Sequence, residues 1–159
     1  TDGNVTIVDR KKELIINEAG KNLAPTNIEN TIKAASPLIG QIVAIGEGKR
    51  YIAALVVLDP DLASVKAHKL GLDGSDLVAV SAHPDVVAEV KAAVAAGNKK
   101  LSRVEQVKRF VIVPTPWEPG GDELTPTMKL RRNPITAKYA SEIVALYADS
   151  VEDGVVDMR

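Results

Sequence analysis

The chain has 159 residues, 45% of them hydrophobic and 26% charged, a composition typical of a globular domain with its own core. Its 20 Lys and Arg against 21 Asp and Glu leave a formal net charge of −1, which gives no electrostatic basis for binding nucleic acid or an anionic membrane surface. The absence of cysteine excludes disulfides, thiolate metal sites and cysteine nucleophiles, and no apolar run approaches the ~20 residues of a membrane-spanning helix.

The first predicted elements are two short strands. Residues 5–8 form a β-branched run after a turn cluster, and residues 14–16 form a second apolar run beyond the charged stretch 9–13. Residues 17–22, which include Gly20, are predicted as a loop. Because the chain starts inside this hairpin and without Met, we expect it to be a piece of a longer polypeptide.

A helix is predicted to begin at Pro25. Thr26 and Glu29 have the spacing of a capping box, in which the hydroxyl and the carboxylate satisfy backbone N–H groups, so Glu29 is predicted to be a cap. The helix should end at Ser36 and Pro37, because proline cannot continue the hydrogen-bond ladder.

Strands are predicted over residues 41–45 and 51–58. The second is apolar almost throughout, so it is expected to be central and covered on both faces. Asp61 is expected to cap the next helix, which should run to Lys69 and end at Gly71.

The second half of the chain is predicted to be helical with one further strand. The expected elements are a helix over 85–96, a short helical piece over 101–107, a strand over 109–113, a long loop over 114–127, an amphipathic helix over 135–147 and a tail over 151–159. Loops of this length in compact domains are usually functional. Residues 1–150 are therefore predicted as one α+β domain, with a small N-terminal β-hairpin and a mostly antiparallel three-stranded sheet flanked by helices.

Two segments carry information beyond composition and periodicity. The first begins with DRKKELII at residues 9–16 and continues with GKNLAP at 20–25 and IEN at 28–30. The second is ELTPTMKLRR at residues 123–132. Together, and in this order, they resemble the C-terminal domain of adenylate-forming acyl-CoA synthetases. The second segment and the stretch LVVLDPDL at 55–62 are most similar to those of the long-chain fatty acyl-CoA ligases.

The resemblance covers essentially the whole chain and implies a two-step reaction. A carboxylate attacks the α-phosphate of ATP to give an acyl-adenylate and pyrophosphate, and the thiol of CoA then displaces AMP. It also implies a large N-terminal domain, absent from this chain, that binds the fatty acid and most of the ATP with Mg²⁺. The small C-terminal domain rotates between the two half-reactions, and alone it is expected to fold but not to catalyse.

The same resemblance sets the expected partners and location. The partners are the chain's own N-terminal domain and the substrates fatty acid, ATP and CoA, with no nucleic acid and no transmembrane segment. The expected location is cytoplasmic, with peripheral membrane contact through the missing domain of the full-length enzyme.

Lys129 is the predicted catalytic residue, because the family places its adenylation lysine at this position of the motif. The first half-reaction brings two anions together, and a compact ammonium on a flexible stem can contact both of them. Pro126 is expected to stiffen the approach to the lysine, since it fixes its own φ and favours an extended Thr125. The alternative is a solvated lysine on a loop.

Four other positions take roles from the resemblance. Arg10 matches the arginine that binds the ribose of ATP or AMP, although it could instead pair with a neighbouring carboxylate. Lys12 matches the hinge, which needs backbone freedom rather than a particular side chain. Gly20 and Lys21 fall in the loop that lines the CoA pantetheine tunnel, and a plain turn is the alternative for Gly20.

Other residues suggest structural roles. Trp117 is expected to anchor the long loop, while Arg131 and Arg132 either seat the lysine loop against the partner domain or are exposed. The isolated histidines are not expected to bind metal. A mildly basic stretch comprises Lys99, Lys100, Arg103, Lys108 and Arg109. We expect it to be a solvated face, and contact with the CoA phosphates is the alternative.

Two other functions stay open on the sequence alone. The parent enzyme could pass the acyl group to a carrier-protein thiol or stop at the adenylate, although the GKNLAP loop favours CoA. Alternatively, the chain could be a stand-alone α+β binding module in which Lys129 is incidental.

Overall fold

The computed structural model describes residues 14–158 as a two-stranded hairpin and a four-stranded sheet with helices. The strands are β1 (Ile15–Ile16), β2 (Asn22–Leu23), β3 (Ile39–Ile45), β4 (Ile52–Leu58), β5 (Val107–Val113) and β6 (Val155–Asp157). The helices are α1 (Pro25–Lys33), α2 (Pro60–Lys69), α3 (Leu77–Ala82), α4 (Pro84–Asn98), α5 (Arg132–Lys138) and α6 (Ala140–Leu146).

The main sheet is mixed, with the strand order β3-β4-β5-β6. Strand β4 runs antiparallel to β3 and parallel to β5, which in turn runs antiparallel to β6. The α+β class is confirmed, and two of the three strand pairings are antiparallel as expected, but the expected number of three strands is wrong because the sheet has four, with one parallel pair. The three helices between β4 and β5 form a crossover that returns the chain to the same end of the sheet, and this makes β5 parallel.

Strand β4 is the centre of the domain. All seven of its residues are buried, which confirms the prediction that it is covered on both faces. Its alternate side chains enter two apolar clusters, one on each face of the sheet. The first cluster contains the inner faces of α1 and α4, and the second contains Trp117, Leu124 and the inner faces of α5 and α6. The second cluster positions the segment that carries Lys129.

The hairpin differs from the predicted one. Ile15 and Ile16 pair antiparallel with Leu23 and Asn22, so the expected loop over 17–22 supplies a strand residue. The predicted partner strand over 5–8 lies outside the described residues.

Helix α2 is capped two residues earlier than expected. The Asp59 carboxylate, and not that of Asp61, accepts a hydrogen bond from the Leu62 N–H at 3.0 Å. The helix begins at Pro60, which places Asp59 at the N-cap and Asp61 inside the first turn. Gly71 follows the helix end with φ +73°, as its position predicts.

The predicted helical piece over 101–107 is only a 3-10 turn at Arg103–Glu105. The Asn98 side chain explains the early start of β5. Its Nδ2 donates to the Val107 carbonyl and its Oδ1 accepts from the Val107 N–H, both at 2.9 Å, which holds that backbone extended.

The C-terminal elements also differ from expectation. The predicted helix over 135–147 is two helices, α5 and α6, which are divided at Tyr139, whose backbone leaves the helical region (φ −105°, ψ 29°). The ring of Tyr139 packs beside Trp117. The predicted tail over 151–159 contains β6, which pairs with β5 from Arg109 to Val111. The buried Arg109 explains this pairing, because its Nε donates to the Asp157 carboxylate at 3.2 Å.

Candidate functional site

Residues 123–131 form a short hairpin, here called the Lys129 hairpin. Arg131 N–H donates to the Glu123 carbonyl and Thr125 N–H donates to the Lys129 carbonyl, both at 2.8 Å. Met128 N–H closes a tight turn on the Thr125 carbonyl at 2.9 Å, and Met128 itself has φ +68°. A turn followed by one left-handed residue is a common three-residue hairpin loop, so the chain reverses at a defined point just before Lys129.

Side chains also fix the tip of the Lys129 hairpin. The Thr125 hydroxyl oxygen accepts the Lys129 N–H at 3.0 Å and lies 3.1 Å from the Thr127 hydroxyl. Pro126 occupies the first central position of the turn, where its fixed φ is favoured. The segment expected to be stiff is therefore a closed and internally bonded turn.

The Lys129 side chain is exposed at this tip. Within residues 14–158, its ammonium makes no hydrogen bond or ion pair. A cation on a fixed backbone, with no internal partner in this part of the chain, is suited to binding an anion that comes from outside the domain.

Buried groups anchor one strand of the Lys129 hairpin. Leu124 is fully buried, and the Glu123 carboxylate accepts hydrogen bonds from Lys138 Nζ at 2.6 Å and from the Tyr139 hydroxyl at 3.2 Å. Trp117 Nε1 donates to the Tyr139 hydroxyl at 3.0 Å, which confirms the expected anchoring role of Trp117. Burial raises the pKa of Tyr139, and the hydrogen bond to Glu123 raises the pKa of Lys138.

A forked ion pair anchors the chain just after the Lys129 hairpin. Arg132 Nη1 and Nη2 donate to the two Glu29 carboxylate oxygens at 2.7 and 2.8 Å. The Glu29 Oε2 also accepts the Ala44 N–H of β3 at 2.8 Å. The expected cap role of Glu29 is wrong, because α1 begins at Pro25 and Glu29 is its fifth residue, beyond the first turn.

The two arginines of the motif therefore bond within the domain. Arg131 Nη1 donates to the Gly121 carbonyl at 3.0 Å, while Arg132 is partly buried against α1. Sequence reasoning missed the contact between Glu29 and Arg132, which are 103 residues apart. The one sequence signal for this contact was that Glu29 lies on the same face of α1 as the apolar Ile28 and Ile32, where an acid needs a partner.

Gly20 and Lys21 lie at the exposed end of the β1–β2 hairpin. Gly20 has φ +82° and open space around it, and Lys21 N–H donates to the Asn17 side chain at 2.9 Å. The Glu18 N–H donates to the Lys49 carbonyl at 2.9 Å, which fixes this hairpin against the turn between β3 and β4. No hydrogen bond in the described part of the chain joins it to the Lys129 hairpin.

A groove of about 720 Å³ lies beside both hairpins. Ile15 and Gly46 line it from the side of β1, and Leu130 and Arg131 line it from the side of the Lys129 hairpin. Its lining is mixed, with apolar strand residues and the basic side chains of Lys49, Arg131 and Arg132.

Two of the expected site residues, Arg10 and Lys12, lie outside the residues that the structure describes. Arg109 is buried and bonded to Asp157 and to the Ala148 carbonyl, so both the expected solvated face and the alternative contact with a CoA phosphate are wrong for this residue. Within residues 14–158, no group of three or more His, Cys, Asp or Glu side chains could hold a metal ion, and none of the helices is long and apolar enough to cross a membrane.

Comparison with known families and proteins gives consistent matches. A family model described as the AMP-binding enzyme C-terminal domain matches residues 12–151. The "Putative fatty-acid–CoA ligase fadD11" of Mycobacterium tuberculosis is 56% identical over 157 residues, which cover 99% of this chain and 27% of that protein. The long-chain-fatty-acid–CoA ligase FadD15 of the same species is 39% identical over 147 residues, which cover 92% of this chain and 24% of that protein.

Solved structures share the fold. The adenylation domain of a carboxylate reductase from Mycobacterium chelonae superposes with a TM-score of 0.67 at 22% identity, covering 88% of this chain and 20% of that one. The corresponding domain from Segniliparus rugosus, in complex with AMP, gives a TM-score of 0.66 at 22% identity, covering 87% of this chain and 20% of that one. The chain spans about a quarter of the length of the curated relatives described above.

Proposed function

Since the chain belongs to the AMP-binding enzyme C-terminal domain family, we propose that it is the mobile C-terminal domain of an ATP-dependent fatty acid–CoA ligase. The whole enzyme joins a carboxylate to AMP with release of pyrophosphate, and then transfers the acyl group to the thiol of CoA with release of AMP. The similarity to FadD11 and FadD15 supports fatty-acid–CoA ligase chemistry, and the name of FadD15 supports a long-chain substrate.

The observation that carries this proposal is the closed hairpin that presents Lys129. The carboxylate and the triphosphate repel each other, so a fixed positive charge between them lowers the free energy of the transition state. The Lys129 ammonium is exposed and has no partner within residues 14–158, while its backbone is held by Thr125. Rotation of the domain brings this ammonium to the acyl and phosphate oxygens for adenylation and removes it afterwards.

The remaining roles are part of the same proposal. Arg10 binds the ribose hydroxyls of ATP or AMP, and Lys12 is the hinge; the family match begins at residue 12. Gly20 and Lys21 line the pantetheine path of CoA, and the open space around Gly20 supports this role. The residues that the structure describes offer no ligand cluster for Mg²⁺, so no step is assigned to the metal.

The test is Lys129→Ala in the full-length polypeptide that contains this chain. ATP–pyrophosphate exchange should fall by roughly 10²–10³, the typical cost of losing one preorganised electrostatic contact. Thioester formation from supplied acyl-adenylate should persist, because that step does not use Lys129. Lys91→Ala is the matched control, because Lys91 is an exposed lysine on α4. An equal loss in both half-reactions, or in neither, would contradict the role given to Lys129.

The acceptor and the chain length are tested with the same enzyme. We expect CoA, and not a carrier protein, to accept the acyl group, and we expect the highest kcat/KM with long-chain acids. A preference for a carrier-protein thiol would move the chain to another branch of the adenylate-forming enzymes.

A further inference from the structure

Met128 has an unusual backbone conformation at the tip of the Lys129 hairpin. It is the one non-glycine residue with positive φ in the described part of the chain, at +68°. Glycine is the usual residue at this position of a three-residue hairpin loop, because a Cβ there clashes with the following carbonyl. Holding a methionine in this conformation therefore costs conformational free energy that a glycine would not cost.

The apolar core does not offset this cost, because Met128 lies outside it. The Met128 side chain is 49% exposed and belongs to neither apolar cluster of the core. Its neighbours at the tip are Thr125, Pro126, Thr127 and Lys129, which are polar or small. A flexible apolar side chain is thus presented to solvent directly beside the cation that carries the proposed function.

We propose that Met128 docks against an apolar site in the nucleotide-holding part of the same full-length polypeptide, and that this contact positions Lys129 for adenylation. The inference rests on the proposed function. Met128 and Lys129 are adjacent and both exposed at the tip of the Lys129 hairpin, so a surface that the tip approaches comes close to both residues. The chain spans about a quarter of the curated relatives, which leaves the nucleotide-holding part outside it.

The contact gives Met128 a physical role in the first half-reaction. Burial of its side chain supplies apolar contact energy that holds the hairpin in place. It also removes water beside Lys129, which strengthens the interaction of the ammonium with the two anions. Met128 is therefore a positioning residue, and its contact exists only while the hairpin is engaged.

The experiment compares Met128→Gly, Met128→Leu and Lys129→Ala in the full-length polypeptide. Met128→Gly suits the backbone of the turn, so its melting temperature should equal or exceed that of the parent. Its kcat/KM for ATP–pyrophosphate exchange should fall roughly 10-fold, the scale expected for one lost buried apolar side chain. Thioester formation from supplied acyl-adenylate should not change, and Met128→Leu should restore most of the exchange activity.

Each other outcome has a defined meaning. If Met128→Gly exchanges pyrophosphate like the parent, or loses both half-reactions equally, or melts at a lower temperature, the docking role is overturned. If Lys129→Ala reduces exchange and Met128→Gly does not, only the docking inference fails. If Lys129→Ala leaves exchange intact, the proposed function fails, whatever the result at Met128.

Discussion

At the scale of single residues, Glu29 holds together three parts of the domain. Its carboxylate lies on α1, accepts the Ala44 N–H of β3 and binds the forked guanidinium of Arg132. Only 5% of Glu29 is exposed. A nearly buried carboxylate with three donors is stable only while its charge partner is present, because desolvation of an unpaired charge is costly.

We therefore expect Glu29→Gln to lower the free energy of unfolding by about 2–4 kcal/mol, since it removes the charge of Glu29 from its forked pair with Arg132. Breaking a buried pair costs about 3–5 kcal/mol, and Arg132 is partly exposed. Chemical denaturation of the chain measures this change, and a double-mutant cycle with Arg132→Met isolates the coupling. Glu118→Gln is the control, because the Glu118 side chain is exposed. A Glu29→Gln effect as small as that of the control would contradict this account.

The residue scale also shows what sequence reasoning reaches and what it misses. The motif around Lys129 singles out this lysine as the predicted catalytic residue, and that role stays a prediction. The loop chemistry of Pro126 predicted a fixed approach, and the bonded turn at Thr125 agrees with it. The role of Glu29 was misjudged because its spacing from Thr26 imitates a capping box. Its true partner, Arg132, is 103 residues away, and no local pattern reports such a contact.

At the scale of elements, α1 and α4 approach closely at one glycine. Gly97 lies in the last turn of α4 and is buried. A Cβ placed on it would lie 2.7 Å from Ile32 Cγ1 and 2.9 Å from Ile32 Cα of α1. The sequence predicted a helix that ends at residue 96, whereas the helix continues through Gly97, which forms a contact between helices.

Gly97→Ala is predicted to lower the free energy of unfolding by about 1–3 kcal/mol, because the added methyl group overpacks the contact with Ile32. The sign of the change in the free energy of unfolding distinguishes a close contact from an open site, since Gly→Ala at an unstrained helical site stabilises a protein by about 0.4–1 kcal/mol. Thermal and chemical denaturation measure the change. Ala96→Gly, at the neighbouring exposed position, measures the contribution of the helix-propensity difference between alanine and glycine to the free energy of unfolding, without the contact with Ile32. If Gly97→Ala stabilises the protein, α1 and α4 can move apart to accommodate the added methyl group, and the predicted overpacking is wrong.

Elements with strong local patterns were predicted well, and those made by tertiary contacts were not. The apolar run of β4 and the alanine-rich α4 appear close to their predicted positions. The division between α5 and α6 falls at Tyr139, whose ring packs beside Trp117, and β6 pairs with β5 where Arg109 bonds to Asp157. Neither contact leaves a periodic signal in its own segment.

At the scale of the whole molecule, Tyr147 connects the end of α6 to the β3–β4 pair. Its hydroxyl donates to the Tyr51 carbonyl at 2.8 Å, with the Ile45 carbonyl at 3.1 Å, and its ring stacks on Tyr51 with centroids 4.8 Å apart. Burial raises the pKa of Tyr147 far above its usual range. The folded state therefore strongly favours the neutral phenol.

This pKa shift predicts alkaline destabilisation. The unfolded tyrosine ionises near pH 10, whereas the folded one stays protonated above that pH. The contribution of Tyr147 to the free energy of unfolding is therefore complete below about pH 10 and is lost as the pH rises above it. Denaturation curves between pH 8 and pH 11 measure this loss. Tyr147→Phe should reduce the slope of stability against pH, with a remainder from Tyr139, whose pKa is also raised by burial. An unchanged slope would contradict the assignment.

The topology of the whole molecule could be predicted only in part. The α+β class followed from the order of apolar runs and helical segments. The parallel pairing of β4 with β5 did not, because strand order depends on which edge the crossover helices reach. The sequence points to the region of the candidate site because Lys129 closely follows the predicted long loop over 114–127, which is rich in proline and glycine. The catalytic role of Lys129 stays a prediction.

The bond between Glu29 and Ala44 has a consequence for how this domain meets other molecules. Strand β3 forms an edge of the main sheet, and an open edge invites strand addition by a second chain. The Glu29 carboxylate occupies one edge N–H, and a charged group fixed at that point opposes the approach of another backbone. The ion pair with Arg132 thus holds the carboxylate at this point of the edge, so that the Ala44 N–H is not offered to a second backbone.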